Sequence, residues 1–130
     1  LDFSFSGLKT CFLYFLRDEM KNNPNFIQNN QNDLAASLQN TIIRILIKKL
    51  SSAVQKTGIK TIALAGGVSV NEGLRTQLKS LSINEQWELY LPEKKFTTDN
   101  AAMIAIAGYY KYLRKEFCEL DVTPKARMSI

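Results

Sequence analysis

Three observations predict an α/β layered domain. Residues 60–65 and 87–91 are short, mostly apolar runs edged by glycine or proline, as core strands are. The longer segments around them repeat apolar residues at spacings of three and four, as amphipathic helices do. In order, the signals read strand, helix, helix, strand, helix, strand, helix, which predicts one sheet with helices packed against it.

At the front, Leu1, Phe3 and Phe5 alternate with Asp2, Ser4 and Ser6, the period of a strand end, and Gly7 breaks the run. Leu8, Cys11, Phe12, Phe15 and Leu16 then predict a helix over residues 7–21, with Cys11 on its apolar face. Residues 22–32, with six Asn, two Gln and Pro24, are predicted to form the main loop, because these residues favour turns and caps over helix interiors. Asp33 is placed as the cap of a long helix reaching about Thr57. Its apolar rows (Leu34, Leu38, Ile42, Ile45 and Ile43, Ile47, Leu50, Val54) leave Arg44, Lys48, Ser51 and Gln55 as the wet stripe, so it is expected to be buried on most sides. Gly58 suits the position just past its end.

Gly66-Gly67 closes the strand at 60–65, and Ser69-Val70-Asn71-Glu72 fits a capping box for a helix continued by Leu74, Leu78 and Leu81. Beyond the strand at 87–91 and Pro92, Thr97 or Thr98 is expected to cap a helix over about 99–117. Ala101, Ile104, Ala105, Gly108 and Tyr112 lie on one face of it, where small residues permit close packing. Residues 119–130, aperiodic and containing Pro124, read as a loosely held tail. No internal repeat is visible.

Composition narrows the chemistry. With 45% hydrophobic and 22% charged residues the chain is globular, and 130 residues suit one domain. Two cysteines are too few for a disulfide scaffold, and the absence of histidine removes every His-based metal cage, dyad or triad from this chain alone. No apolar run reaches the ~18 residues of a membrane span and no signal-peptide pattern opens the chain, so a cytoplasmic protein without membrane partners is expected. Leu1 in place of Met, on an apolar alternation with no preceding turn, reads as a cut piece of a longer chain. The charge is 17 − 12 = +5, with a pI near 9.3. Such a spread of lysines is compatible with a solvated surface and with a nucleic-acid partner, and charge alone does not choose between them.

Two strand-to-helix turns are candidate sites. Gly66 and Gly67 either serve a tight turn or let a ligand touch the backbone near a helix start. Asn71 is either solvated or able to read a ligand hydroxyl or ring nitrogen held over the glycines. Asp99, beside Asn100, is either a helix-cap residue or a hard oxygen ligand for a metal whose other ligands this chain lacks. Cys11 and Cys118 have no histidine to activate them, so a cysteine or serine hydrolase is disfavoured.

Three stretches taken together go further: Asp2-Phe3-Ser4-Phe5-Ser6-Gly7-Leu8-Lys9-Thr10, Ala65-Gly66-Gly67-Val68-Ser69-Val70-Asn71 with Leu74-Arg75, and Thr98-Asp99-Asn100-Ala101-Ala102-Met103-Ile104-Ala105. In this order and spacing they resemble the C-terminal half of the tRNA threonylcarbamoyladenosine transferases, the TsaD family, earlier labelled O-sialoglycoprotein endopeptidases (Gcp). The resemblance spans about residues 1–115. Val70 stands where the family usually has alanine and Thr97 where it often has cysteine.

The resemblance implies an RNase H-like lobe of the actin-like ATPase superfold, shared with Hsp70 and sugar kinases. Residues 1–118 would form this C-terminal lobe and 119–130 the tail. It implies that Asn71 binds threonylcarbamoyl-adenylate, that Gly66 and Gly67 let it approach the backbone, and that Asp99 ligates a divalent metal, iron or zinc, alongside two histidines of an HxxxH motif in the other lobe. No catalytic residue is assigned. The reaction implied moves the threonylcarbamoyl group to the exocyclic amine of the tRNA adenosine beside the anticodon and releases AMP. Other subunits, TsaB and TsaE in bacteria, are implied as partners with tRNA.

A kinase of the same superfold would need phosphate and catalytic-aspartate motifs outside this chain. A non-catalytic scaffold paralogue would have lost Asp99 and the Gly-Gly-Val-Ser turn, and both are here. The peptidase label finds no HExxH, Ser-His-Asp set or activated cysteine. Asp99, Gly66, Gly67 and Asn71 are therefore expected on one exposed cleft at the strand ends. The isolated chain is expected to be inactive and, with an uncovered apolar face, prone to self-association.

Overall fold

The computed structural model of the chain describes residues 4–123. Helices α1 (Ser6–Asn22) and α2 (Phe26–Thr57) are followed by strand β1 (Thr61–Ala63), helix α3 (Glu72–Asn84), strand β2 (Glu88–Tyr90) and helix α4 (Ala101–Leu113), with 3₁₀ turns at Gly67–Val70 and Lys94–Phe96. The two strands pair in parallel with Thr61 opposite Glu88, Ile62 opposite Leu89 and Ala63 opposite Tyr90. The α/β class and its β1-α3-β2 unit are as predicted, but the sheet is smaller. Of the strand expected at the front, residues 1–3 lie outside the described ones, and Ser4 and Phe5 lead directly into α1 without forming a strand.

The expected loop at 22–32 shrinks to residues 23–25. Phe26 packs edge-on against Phe15 of α1, with ring centroids 5.9 Å apart, and this contact starts α2 despite the asparagines that follow. Their local preference survives at Asn30, whose backbone leaves helical geometry (φ −123°, ψ 17°) while its side-chain amide donates to the Phe26 carbonyl at 2.8 Å. Asp33 is consequently interior to α2 and caps nothing. Gly58, left-handed at φ 71°, ends the helix as expected.

Nor is α2 buried on most sides: Ile43 is its buried residue, while the other apolar rows are half-buried. Ile43 joins Leu74 and Leu78 of α3 in the core, with Leu46, Ile47, Leu50, Leu64 and Leu89 packed around them. At Gly73 the two helices approach so closely that a Cβ would stand 3.0 Å from the Ile43 side chain. Helix α4 shows the largest departure from expectation. Every residue of it is exposed, Ile104 at 76%, so its small-residue face meets no close-packed partner among the described residues. No helix among them is long and apolar enough to cross a membrane.

The capping box at Ser69 does not form. The chain first turns through Gly67–Val70, which moves the start of α3 on and puts Asn71 in the cap position, where its Oδ1 accepts from the Leu74 amide at 3.0 Å. Ser69 is instead fully buried, and its hydroxyl has no hydrogen-bond partner among the described residues. A similar shift occurs at α4: Asn100, not Thr97 or Thr98, caps the helix by accepting from the Met103 amide at 3.2 Å, and Thr97 turns its hydroxyl to the Lys94 carbonyl at 2.7 Å.

Arg75, only 8% exposed, joins the loops that leave the two strands. Its Nε donates to the Ser69 carbonyl at 2.5 Å and its Nη2 to the Pro92 carbonyl at 2.7 Å. On the surface beside it, Lys94 pairs with Glu72, fastening the same β2 exit loop to the first turn of α3.

Three outcomes follow from this packing. Arg75→Met leaves both carbonyls without their donor and is expected to lower unfolding free energy by about 2–4 kcal/mol, read from the urea midpoint. The hydrogen bond and charge of Lys94 hold the Glu72 carboxyl below its ordinary range, so this link contributes above the unfolded-state glutamate pKa and fades as pH falls through the lowered folded value. An NMR titration of the Glu72 carboxyl should show that lowered midpoint, returning to the ordinary range in Lys94→Gln. The 130-residue chain alone should self-associate through α4, with Ile104→Glu shifting its sedimentation profile toward monomer.

Candidate functional site

Because β1 and β2 are parallel, their C-terminal ends open on the same edge of the sheet, where ligands sit in α/β folds. The Leu64 amide donates to the Tyr90 carbonyl at 3.1 Å, extending the pairing to the point where the strands part. Beyond it β1 leaves through Ala65, Gly66 and Gly67, and β2 through Pro92 to Phe96, Thr97, Thr98 and Asp99. These two exits and Met103 of α4 enclose an open cavity of about 400 Å³.

The two glycines differ in their reasons for being there. Gly66 has φ 82°, a left-handed conformation that side chains resist, so the turn itself requires it. Gly67 has no such angle, and a Cβ on it would meet nothing within 4 Å. Nothing in the chain's own packing forbids a side chain at Gly67; what a side chain there would fill is open space beside the cavity. That open space leaves room for close backbone approach of a ligand at this position.

Asp99 lies in the loop before α4, exposed on the cavity wall, and is not in the helix's first turn as the sequence suggested. With Asn100 capping α4, the cap reading of Asp99 falls away. Its carboxylate makes no hydrogen bond or ion pair with any described residue. An exposed, uncommitted carboxylate fits one coordination position of a divalent cation. Among the described residues no three His, Cys, Asp or Glu side chains gather in a metal-sized group, so Asp99 does not by itself make a metal site.

The structure brings Gly66, Gly67 and Asp99 together and leaves Asn71 off the wall of this cavity. The Asn71 side chain spends one lone pair on capping α3 and one N–H on Gln39 Oε1 of α2, at 3.0 Å. Cys11 is exposed and not on a buried apolar face, as is Cys118. The residue that sequence reasoning undervalued is Arg75, named there only within the family motif and given no role. Its signal was its place four residues after Asn71, within the first turns of the helix that follows the glycines.

Comparison with known proteins now bears on this arrangement. A family model described as TsaD, tRNA N6-adenosine threonylcarbamoyltransferase, matches residues 1–106. The tRNA N6-adenosine threonylcarbamoyltransferase of Porphyromonas gingivalis is 52% identical over 129 residues, covering 99% of this chain and 38% of its own length. That of Christiangramia forsetii is 53% identical over 127 residues (98% and 37%), and that of Francisella tularensis subsp. holarctica 42% identical over 128 residues (98% and 37%). The chain thus spans under two fifths of the length of these relatives. With the family model matched over most of its residues and the glycine turn and Asp99 meeting at one cavity, the chain belongs to the TsaD family of tRNA N6-adenosine threonylcarbamoyltransferases.

Proposed function

We propose that the chain forms part of an RNase H-like lobe of the actin-like superfold, in an enzyme that transfers the threonylcarbamoyl group from threonylcarbamoyl-adenylate to the exocyclic amine of the tRNA adenosine next to the anticodon. The observation that carries the reading is the meeting of Gly66, Gly67 and an uncommitted Asp99 around one cavity, in a chain of this family. In the reaction the amine nitrogen bonds to the carbamoyl carbon, the bond from that carbon to the phosphate oxygen breaks, the amine loses a proton and AMP departs.

On this reading, bare backbone at Gly67 lets the adenylate lie against the β1 exit, while the β2 exit supplies the opposing wall. Asp99 holds a divalent ion, iron or zinc, with ligands supplied from outside this chain. Such an ion, when bound, supplies neutralisation of the phosphate-linked leaving group. Asn71 retains one N–H and one lone pair beyond those it already uses, enough to contact the adenylate-bearing substrate from the α3 side. Arg75 keeps the two walls at a fixed separation without touching substrate. TsaB and TsaE, in a bacterial setting, complete the proposed complex.

Asp99→Asn in the full-length protein tests the assignment. Since Asn100 holds the cap, the thermal midpoint should stay near wild type. Metal per chain and tRNA modification should fall together, by about tenfold or more. Full metal occupancy with normal modification would remove Asp99 from the site.

A further inference from the structure

The positive charge of this chain is unevenly distributed. Residues 34–71 contain Arg44, Lys48, Lys49, Lys56 and Lys60 and no Asp or Glu, so this stretch carries +5, equal to the net charge of the whole chain. None of the five forms an ion pair with a described residue; the same holds for Lys79, Lys111 and Lys115, which lie elsewhere on the chain.

Four of the five lie on α2. At about 100° per residue, Arg44, Lys48, Lys56 and Lys49 fall within an arc of about 140°, its middle nearly opposite the buried Ile43. Between Arg44 and Lys56 that arc also holds Ser52, Gln55 and a single apolar residue, the half-buried Ile45. Arg44, Lys48 and Lys56 are exposed. They span about 18 Å of one rigid helix at 1.5 Å per residue. The helix dipole accounts for a cation in the last turn, which is Lys56, but its effect dies within that turn and does not reach Arg44, Lys48 or Lys49.

We infer that this outer face of α2 is a docking surface for the phosphate backbone of the RNA substrate, an inference that rests on the tRNA-modifying reading above. Charge complementarity selects the occupant. Duplex RNA presents phosphates closely along its axis, so three cations over such a length meet several of them without needing to read bases. A protein partner would require aromatic or apolar anchors at the centre of the patch, and the arc offers none that is exposed.

The test compares two charge-matched triple variants of the full-length protein in tRNA binding across a salt series. One replaces Arg44, Lys48 and Lys56 by Gln; the other replaces Lys79, Lys111 and Lys115, which lie off α2. Loss of three phosphate contacts should reduce the slope of log affinity against log salt by about 2–3 in the α2 triple and leave the other triple at the wild-type slope. The charge-keeping set Arg44→Lys, Lys48→Arg, Lys56→Arg should retain the wild-type slope. An unchanged slope in the α2 triple, or equal losses in both triples, overturns the proposed surface. So does an α2 triple that keeps its tRNA slope but loses binding to a protein subunit. Threonylcarbamoyl transfer by the wild-type protein is measured alongside. Its absence would overturn the function proposed above, while the slope comparison still decides the surface.

Discussion

The guanidinium of Arg75 is the tie on which the rest of this structure depends. Two strands of three residues each make too little pairing to fix the loops that leave them. A buried cation between the Ser69 and Pro92 carbonyls does so directly, because each bond is charge-assisted and shielded from water. Its planar fork suits two acceptors in different loops, which a lysine would not serve equally. The placement of the cavity walls follows from it. The exposed Lys94–Glu72 pair adds only a rim contact, for exposed ion pairs contribute little.

The same tie separates the two roles that glycine plays in the β1 exit. Gly66 supplies a backbone angle and would be needed whether or not anything binds. Gly67 supplies emptiness, on the side of the cavity that Asp99 faces from the other loop. A left-handed turn, an open backbone and an uncommitted carboxylate each have ordinary explanations when taken singly. Their meeting at the parallel strands' C-terminal ends is what makes a candidate site of them.

The periodic signals were the legible part. The turn after Thr57, both short strands and the α3 apolar row could be read from spacing, and so could the pairing of the glycine turn with Asp99 across one cleft. The capping misreadings share one cause: polar side chains near helix starts compete for the same backbone groups. Ser69 and Asn71 each could cap α3, and the 3₁₀ turn decided for Asn71; Thr98 and Asn100 were in the same position at α4. The asparagine-rich stretch misled for a different reason, since a contact between Phe15 and Phe26, on consecutive helices, outweighed local preference. Arg75 was harder to read as a tie, because its position after the glycine turn marks the helix start but nothing in the spacing announces that its guanidinium is buried.

The β1–β2 ribbon has a further consequence. Each strand pairs on one side only, so among the described residues both are edge strands, with backbone donors and acceptors on their outer sides facing no strand. The register puts the exposed Thr61 and Ala63 of β1 on the same face as the exposed Glu88 and Tyr90 of β2, with Ile62 and Leu89 half-buried on the opposite face. The Glu88 carboxylate accepts from the hydroxyls of Tyr90 and Thr61 on the exposed face, so it reaches across to β1 and does not guard the outer edge of β2. The outer backbone groups of both strands are thus left open to a further strand, with the exposed Lys60 immediately before β1 the nearest cation in sequence to that strand's edge.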